Sequence, residues 1–536
     1  TLSGAATFNI ADQANTFTLG VSAITAAGTF TKAGAGRLVV TNALTMGAHA
    51  LNVTAGTLVL ENGFTNATGG SFRVGDSAGS NAAFVQTGGT TVLSQADGET
   101  ILVGTGGNSF GSFTIAGGTF QAPRLQPTGT AGTNNSGLIS VLNGGTLKLT
   151  SYFIGGRQSS TNTGVVTIAG GTLDLASLAT GSGTYGGGRF EVNLGANLGG
   201  ANTGGTFDAG AKTLNAVTNA TSSQGIINLL GGTLTAGSVS SLASSTFAQF
   251  NMNGGVLKAG AASTTFLGAS LTAANVYSGG VTIDNNGFAI TLAKSLTAPA
   301  GNGVASVAVT GASGYFTAPL VKLTGGGGNG DATAVAVLKE DGTISVVITS
   351  PGTNYTSAPA VTLVGGTTGT AATASATLNS GNTSGGITFR GSATTTLSTN
   401  NTYAGTTTIS EGVLAISTSG GLGSTAGHTI VASGASLRLV TNSFDLSENL
   451  TLSGTGIGTG SAYGALNFNL NTGTYGINGL VTLSGGAAIN AYNAGTANVT
   501  FAQGIQGTGG LTLRASAANN GGAIYALNGA SSYTGD

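Results

Sequence analysis

The amino-acid sequence predicts an all-β solenoid of short strands with a smaller all-β lobe inserted in it. A turn of two glycines and a threonine, followed by Leu or Phe, recurs in the first half of the chain, with a short alternating apolar and polar segment on each side. The chain has 536 residues, more than one compact core normally accommodates. Strand, turn, strand units in so long a chain favour an array in which each unit buries its apolar face on its neighbours.

The spacing of the turn sets the size of the unit. The whole turn occurs at Gly117–Phe120, Gly144–Leu147, Gly170–Leu173, Gly204–Phe207 and Gly231–Leu234. From Gly56 to Gly255, the second glycines of these turns and of looser copies lie 23 to 34 residues apart. This interval fits one coil of a three-sheet solenoid with loops of variable length. At ~4.8 Å per coil and roughly 25 residues per coil, the repeats predict a rod on the order of 80–90 Å long.

Residue usage agrees with strands and tight corners. Alternating Val, Ile, Leu, Phe and Thr place one face of each strand inward, whereas Gly and Asn between the strands permit the positive φ angles of corners. A helical fold is disfavoured because no 3.6-residue periodicity occurs. A β-propeller is disfavoured because the chain has no tryptophan and no aromatic blade signature.

The charge content excludes several classes of partner. The chain has 15 Lys and Arg against 16 Asp and Glu, a net charge of −1, and only 6% charged residues. Nucleic acids and anionic lipids bind clustered cations, so neither is expected as a partner. Cysteine is absent, which excludes disulfides and thiolate chemistry. No apolar stretch approaches the ~20 residues of a membrane span, and we expect any secretion signal to have been removed or to lie outside this sequence.

Residues 296–378 interrupt the repeats, so we predict solenoid in residues 1–295, an inserted lobe in 296–378 and solenoid again in 379–536. Four of the six prolines lie in the lobe. Its segment 307–326 matches 346–366, and in that alignment Tyr315 pairs with Tyr355, 40 residues later. We expect a small all-β lobe of two related halves, with the run Lys339, Glu340, Asp341 and Gly342 as its central hairpin turn.

The segment after the lobe carries a more specific pattern. Residues 394–423 resemble the autotransporter-associated β-strand repeat, in which an N-x-Y-x-G motif lies between strands; Asn401, Tyr403, Gly405, Gly412 and Leu414 occupy its consensus positions. Residues 28–40 and 525–536 resemble parts of the same repeat, the latter ending inside the motif. The resemblance implies a right-handed parallel β-helix on secreted or surface-displayed bacterial proteins, often as the stalk of an adhesin. Unlike the usual layout of that family, no membrane barrel follows in this sequence.

Few residues suggest catalysis or metal binding. Enzymes built on parallel β-helices bring carboxylates, or carboxylates with Lys or Arg, onto adjacent coils, and the candidates are Asp97 with Glu99 and Asp208 with Lys212. Both pairs are interpreted as surface turns. The two histidines, His49 and His428, are too far apart in the sequence to suggest a metal site. We therefore predict no catalytic residue, no cofactor and no metal.

The loop GGGGNGDAT, residues 325–333, approximates the calcium-binding repeat GGxGxDxUx. It contains Asp331, but Asn329 occupies a glycine position and the motif is not repeated in tandem. A flexible loop of the lobe is the preferred interpretation.

Three aromatic residues of the lobe are candidate ligand contacts. Tyr315, Phe316 and Tyr355 lie close to Ala-Pro pairs, where they would make a platform for a carbohydrate or another partner. The alternative, which we favour, is that they form the core of the lobe.

Three functions remain open at this point. The first is a subunit of an extracellular fibre or surface layer that assembles head to tail with copies of itself, because a nearly uncharged protein with open strand edges has little to oppose pairing. The second is an adhesin stalk whose lobe binds a surface glycan or another cell-surface ligand. The third, least favoured because carboxylates are sparse, is a polysaccharide-degrading enzyme. All three place the protein outside the cell.

Overall fold

The computed structural model describes residues 2–20, 24–66, 70–94, 101–128, 132–153, 161–178, 188–218, 223–367, 369–457, 464–468, 473–492, 497–516 and 523–535. These residues form strands, turns and connecting segments and contain no helix, so the prediction of an all-β chain is confirmed. In the described residues, accordingly, no helix has the length and hydropathy needed to cross a membrane.

The described residues before the lobe form thirty-one strands. In chain order they are β1 (Ala6–Asn9), β2 (Thr16–Leu19), β3 (Ile24–Ala26), β4 (Phe30–Ala33), β5 (Arg37–Val40), β6 (Leu44–Met46), β7 (Leu51–Val53), β8 (Ala55–Leu60), β9 (Phe64–Asn66), β10 (Phe72–Val74), β11 (Asn81–Gln86), β12 (Thr90–Leu93), β13 (Ile101–Val103), β14 (Phe110–Ile115), β15 (Gly118–Pro127), β16 (Ser136–Leu142), β17 (Gly145–Phe153), β18 (Thr163–Ala169), β19 (Thr172–Asp174), β20 (Arg189–Leu194), β21 (Thr206–Asp208), β22 (Thr213–Asn215), β23 (Gln224–Leu229), β24 (Thr233–Ala236), β25 (Ser238–Ser240), β26 (Ala248–Met252), β27 (Val256–Ala259), β28 (Ser263–Leu267), β29 (Ala273–Val276), β30 (Val281–Asp284) and β31 (Ile290–Leu292).

Six strands form the lobe: β32 (Val304–Thr310), β33 (Leu320–Thr324), β34 (Thr333–Leu338), β35 (Ile344–Ser350), β36 (Ala360–Val364) and β37 (Thr373–Leu378). The remaining strands are β38 (Ile387–Arg390), β39 (Thr394–Leu397), β40 (Thr407–Ile409), β41 (Gly412–Ile416), β42 (Thr429–Val431), β43 (Ala435–Leu439), β44 (Phe444–Leu446), β45 (Leu450–Gly454), β46 (Leu466–Phe468), β47 (Gly473–Ile477), β48 (Val481–Tyr492), β49 (Ala497–Phe501), β50 (Ile505–Gly507), β51 (Leu511–Ser516), β52 (Ala523–Leu527) and β53 (Ser532–Tyr533).

Between the described strands outside the lobe every pairing is parallel, and the pairings follow three series, of which the second is in two parts, β2 to β29 and β44 to β52. The first begins β1, β4, β7, β10, the second β2, β5, β8, β11, and the third β3, β6, β9, β12. The third series runs unbroken through eighteen strands from β3 to β53. Long parallel sheets of this kind are compatible with a solenoid, and at ~4.8 Å between neighbouring strands the third series measures on the order of 80 Å.

The repeated glycine turn occupies one corner of this arrangement. Its threonines are register partners of one another: Thr119 pairs with Thr146, and the column continues through Thr172 and Thr206 to Thr233. The residue after each threonine points inward and is buried, as Phe120 and Leu147 illustrate with no exposure at all. The motif thus repeats because each copy stacks on the previous one.

The core between the three series consists of columns of apolar side chains. In the second series Phe84 pairs with Phe113, and the two rings stack with 5.2 Å between their centroids. The column continues through Ile139, Val166 and Val192. These residues belong to one hydrophobic cluster that extends from the first strands to the last. Burial of these columns is the main stabilising term, since charged side chains are few.

The lobe lies between β31 and β38 in the chain and has a different topology. Its strands form an antiparallel sheet in the order β32, β37, β36, β33 and a separate hairpin of β34 and β35. Strands β32, β33 and β34 recur as β35, β36 and β37 with every boundary shifted by 40 residues. The sequence duplication is therefore a duplication of a three-stranded unit.

Candidate functional site

The lobe folds back along the outer surface of the second series of strands, and this contact contains the main candidate sites. Near the point of insertion the amide of Asn251 donates to the Ser350 hydroxyl at 3.3 Å. Much earlier in the series the amide of Asn81 donates to the Thr367 carbonyl at 2.6 Å. Between these two points the lobe covers β14, β16, β18, β20 and β23.

A ladder of asparagines forms one part of the covered surface. The amide of Asn228 donates to Asn193 at 2.7 Å, Asn251 donates to Asn228 at 2.9 Å, and Asn275 donates to Asn251 at 3.0 Å. All four side chains are buried. The Asn228 amide also donates to the Thr333 hydroxyl of the lobe at 2.9 Å, so the ladder is part of the joint between the two units.

An apolar patch forms the other part. Phe110, Leu138 and Val165 lie on the outer face of the second series, yet they are buried because Leu320 and Val335 of the lobe pack on them. Exposed apolar residues at these three positions would be unfavourable in water, so the lobe and this patch stabilise one another.

One arginine fixes the lobe at the middle of the interface. The Arg189 guanidinium donates to the carbonyls of Gly330 at 2.6 Å and Ala332 at 2.9 Å, and its Nε pairs with Glu191 beside it. Glu191 is buried, and this desolvation raises the pKa of its carboxyl although Arg189 opposes the shift. A buried ion pair of this kind is costly to break, because either partner alone would be left as an uncompensated charge.

Two of the three predicted aromatic contacts lie inside the lobe. Tyr315 and Tyr355 are 4% and 2% exposed, and each hydroxyl accepts a hydrogen bond from a backbone amide, from Ala372 at 2.9 Å and from Ala332 at 3.2 Å. Their burial agrees with the alternative that they form the lobe's core. Phe316 is only half-buried.

Phe316 and Tyr315 border a cleft of about 330 Å³ between the lobe and the first coils, which we name the Phe316 cleft. Thr16, Arg37 and Thr57 are register partners on three strands of the second series and line the cleft as a polar row. Lys339 and Glu340, from the hairpin between β34 and β35, line it as well. A cleft lined by an apolar ring and a row of hydrogen-bonding groups is one in which a polar ligand with one apolar face would fit.

The structure describes one of the two candidate carboxylate pairs. Asp97 and Glu99 lie outside the described residues. Asp208 is the register partner of Asp174, and Asp174 is the register partner of Lys148. The spacing of residues in the sequence did not predict that Asp174 would be the neighbour of Asp208 on the adjacent strand. Each of the two carboxylates accepts a backbone hydrogen bond two residues later, from Gly210 to Asp208 at 2.8 Å and from Ala176 to Asp174 at 2.9 Å. Both aspartates thus stabilise turns.

The calcium-like loop has a structural role. Asp331 is fully buried, and its two carboxylate oxygens accept hydrogen bonds from the Thr353 amide at 2.8 Å and the Thr353 hydroxyl at 2.6 Å. His428 lies beside Thr406 at 3.5 Å. Across the described ranges, no three His, Cys, Asp or Glu side chains are grouped so as to hold a metal ion.

The N-x-Y-x-G segment has a structural explanation in this chain. Asn401 is buried at a corner, where its amide donates to the Gly421 carbonyl at 2.6 Å and its oxygen accepts from the Leu296 amide at 2.8 Å. Tyr403 is fully buried, with its hydroxyl 2.6 Å from that of Thr407. These residues connect successive coils where the second series has no strand between β39 and β40.

Comparison with models of known families, with curated proteins and with solved structures finds no match for this chain. Membership of the autotransporter-associated repeat family accordingly stays a prediction that rests on the motif residues.

Proposed function

We propose that the two solenoid segments form one right-handed parallel β-helix with three faces, into which the lobe is inserted. The three parallel series would supply the faces: in the first coils every third strand returns to the same series, and from β38 to β43, where the second series has no strand, every second strand does. Each coil connects parallel strands of one sheet, and such crossovers are right-handed in the great majority of proteins. This support is independent of the family resemblance.

We further propose that the protein is a structural rod of the extracellular surface and that it assembles end to end with copies of itself. The observation that carries the proposal is the uninterrupted stacking of the strands. The third series pairs eighteen described strands in one parallel direction from β3 to β53. One apolar cluster accompanies it, in which Leu38 and Phe501 are both fully buried.

A second copy of the chain presents coils of matching strand direction, so stacking of copies would repeat the strand pairing that joins neighbouring coils. Apolar burial would drive the contact, and with 6% charged residues there is little electrostatic repulsion to prevent it. A contact between the head of one copy and the tail of the next does not close on itself, so it generates a filament. The extracellular location follows from the resemblance alone and is proposed with it.

Electron microscopy and light scattering of the purified chain test the assembly. We expect unbranched filaments whose width is that of one rod, and we expect Leu527→Glu to disperse them because it places a charge in the apolar column that Leu527 shares with Phe501. Phe288→Glu is the matched control, because Phe288 is 37% exposed but lies on the side of the rod between β30 and β31. Single rods of uniform length for the unaltered chain at high concentration would refute the proposal.

A second candidate function is a stalk that presents a ligand-binding lobe, favoured by the Phe316 cleft. Its aromatic ring and polar row match the demands of a sugar, which has apolar and hydroxylated faces. Screening the whole chain on a glycan array, beside Phe316→Ala and Phe288→Ala, tests this function. Binding that is lost only in Phe316→Ala would support it, whereas a blank array, or equal binding by the three proteins, would exclude this cleft as the glycan site.

We propose no catalytic function. The carboxylates of Asp174 and Asp208 accept hydrogen bonds within turns. The candidate pair Asp97 and Glu99 lies outside the described residues. If cleavage of a polysaccharide were measured, its abolition by Asp208→Asn would overturn this conclusion.

A further inference from the structure

A second cleft, separate from the Phe316 cleft, lies where the lobe strand β33 passes over β18, β20 and β23. Its volume is about 350 Å³. Thr163, Arg189, Glu191 and Gln224 line it from the solenoid side, and Lys322 lines it from the lobe. We name it the Glu191 cleft. Three of the 31 charged residues of the chain meet here, which is unusual for so weakly charged a protein.

The arginine in this cleft is already fully engaged. Its guanidinium holds the carbonyls of Gly330 and Ala332, bonds weakly to Gln224 at 3.4 Å and pairs with Glu191 through Nε. Arg189 therefore serves the interface between lobe and solenoid, and a ligand would have to break that interface to recruit it.

The carboxylate is only half satisfied. Glu191 Oε1 accepts from Arg189, but Glu191 Oε2 is buried without a hydrogen-bond donor among the described residues. An unpaired oxygen of a buried carboxylate is unfavourable because it has lost its hydrogen bonds to water, and a suitably placed hydroxyl would replace one of them.

The ammonium group of the cleft is unpaired as well. Lys322 is half-buried on β33, and it forms no ion pair or side-chain hydrogen bond with the described part of the chain. Removal from water, without an anion nearby, lowers the pKa of Lys322. An anionic group would therefore gain at this position both a hydrogen bond and a charge partner.

We propose that the Glu191 cleft binds a small hydroxylated carboxylate, whose carboxylate pairs with Lys322 and whose hydroxyl donates to Glu191 Oε2. The cleft carries one net positive charge from Arg189, Glu191 and Lys322, and one carboxylate neutralises it. A ligand with a carboxylate but no hydroxyl leaves Glu191 unsatisfied. A neutral polyol satisfies Glu191 but leaves Lys322 without a counter-ion. The volume is at the lower end of the range for small-molecule sites.

Ligand-observed NMR titration of the whole chain tests the site with three matched probes: gluconate, sorbitol and acetate. Sorbitol differs from gluconate only in having an alcohol in place of the carboxylate, and acetate has the carboxylate without the hydroxyls. We expect gluconate to bind, and each of the other two to bind at least about tenfold more weakly, since each loses one charge-assisted hydrogen bond.

Two variants locate the site. Lys322→Met should weaken gluconate binding by at least about tenfold, whereas Lys322→Arg should keep it because the charge is retained. Lys258→Met is the control, because Lys258 lies on β27 and lines neither cleft. Thermal unfolding of each variant shows whether the lobe is intact.

The proposal is overturned if gluconate fails to bind up to about 10 mM, a range that covers weak small-molecule affinities. It is also overturned if sorbitol binds as tightly as gluconate, or if the folded Lys322→Met variant binds as well as the unaltered chain. None of these outcomes bears on filament assembly, because the cleft is on the side of the rod.

Discussion

The hydroxyl of Tyr315, in the first half of the lobe, accepts a hydrogen bond from the amide of Ala372, just before the last strand of the second half. The relationship is reciprocal: the hydroxyl of Tyr355, in the second half, accepts from the amide of Ala332 in the first. The backbone repeats the exchange, because the Tyr315 amide donates to Gly342 and the Tyr355 amide donates to Asn302. The two halves are thus joined by equivalent bonds that cross between them.

This exchange predicts that each tyrosine supports the other half of the lobe. Tyr315→Phe should lower the free energy of unfolding by about 1–2 kcal/mol, because the amide of Ala372 loses its acceptor. Hydrogen exchange should accelerate at Ala372 more than at Ala332, and Tyr355→Phe should give the opposite pattern.

Tyr533→Phe is the control for these two variants, since Tyr533 is 37% exposed on the last strand. Equal acceleration at Ala332 and Ala372 in both variants would show that the hydroxyls contribute only to general packing.

The asparagine ladder predicts a strong effect from a nearly isosteric change. Asn228→Asp keeps the shape but removes the donor that bonds Asn193 and Thr333, and it places a carboxylate in a buried row. We expect destabilisation by about 2–4 kcal/mol, with loss of exchange protection at the lobe interface.

Asn498→Asp is the matched change at an exposed position of β49. We expect it to alter the unfolding temperature very little. A similar shift in both variants would mean that the ladder does not join the lobe to the second series of strands.

The stacked aspartates predict a stabilising substitution. Asp208→Asn removes a like-charge contact with Asp174 on the adjacent coil, and an asparagine can still accept the hydrogen bond from Gly210. The gain should be about 0.2–1 kcal/mol and should shrink as salt is added. Asp12→Asn, at an exposed turn, should be neutral, and a loss of stability in Asp208→Asn at low salt would contradict the prediction.

Much of the fold was predictable from the sequence because the glycine turn imposes its own register. Each threonine of the turn stacks on the next, so the turn spacing read from the sequence is the spacing of register partners in the third series. The offset of 40 residues between Tyr315 and Tyr355 likewise predicted the two halves of the lobe. These features depend on local chemistry repeated at regular intervals, which a single sequence displays directly.

The position of the lobe was not predicted, because it depends on contacts between distant residues. Its signal was present on β18, where Val165 and Val166 are adjacent and both are buried, the first under the lobe and the second in the core. A strand that is covered on one face only would have one apolar residue and one polar residue at two adjacent positions, and not two valines. The clefts were missed for the same reason, since Glu191 and Lys322 are more than a hundred residues apart.

Lys32 is an exception to the alternation of apolar inward and polar outward residues along the strands. It occupies an inward position on β4 and is fully buried, and its ammonium donates to the carbonyls of Ala33, Gly34 and Ala55 at 2.8, 2.8 and 3.0 Å. Burial lowers the pKa of Lys32 to about 8. Only the corner geometry, in which three carbonyls converge, explains a lysine at this position.

A buried carboxyl in the last third of the chain predicts a pH dependence of stability. Glu448 precedes β45 and is 3% exposed, and desolvation by burial raises its pKa to about 7. The folded protein therefore holds this proton more tightly than the unfolded chain does. The stabilisation should be complete below about pH 4.5 and should be lost as the pH rises through about 7.

Measurement of the unfolding temperature between pH 4.5 and 8.5 checks this dependence, and Glu448→Gln should flatten the fall because it carries no titrating proton. Glu191 contributes in the same direction, since its pKa is also raised, so a residual slope in Glu448→Gln is expected. An unchanged slope in Glu448→Gln would show that Glu448 does not titrate in this range.

The glycine of the N-x-Y-x-G segment predicts a steric effect that composition alone would not suggest. A methyl group on Gly405 would lie 2.2 Å from the backbone of Gly385 and Gly386. Neither segment can move away from the other without breaking the hydrogen bonds between the parallel strands. Gly405→Ala should therefore destabilise the coils around β38 and β40 by about 1–3 kcal/mol or more. Gly4→Ala is the control, because a methyl group at Gly4 meets no atom within 4 Å. Denaturant unfolding of the two variants gives the comparison, and equal stability would mean that the coils are less tightly stacked at this corner than the distances require.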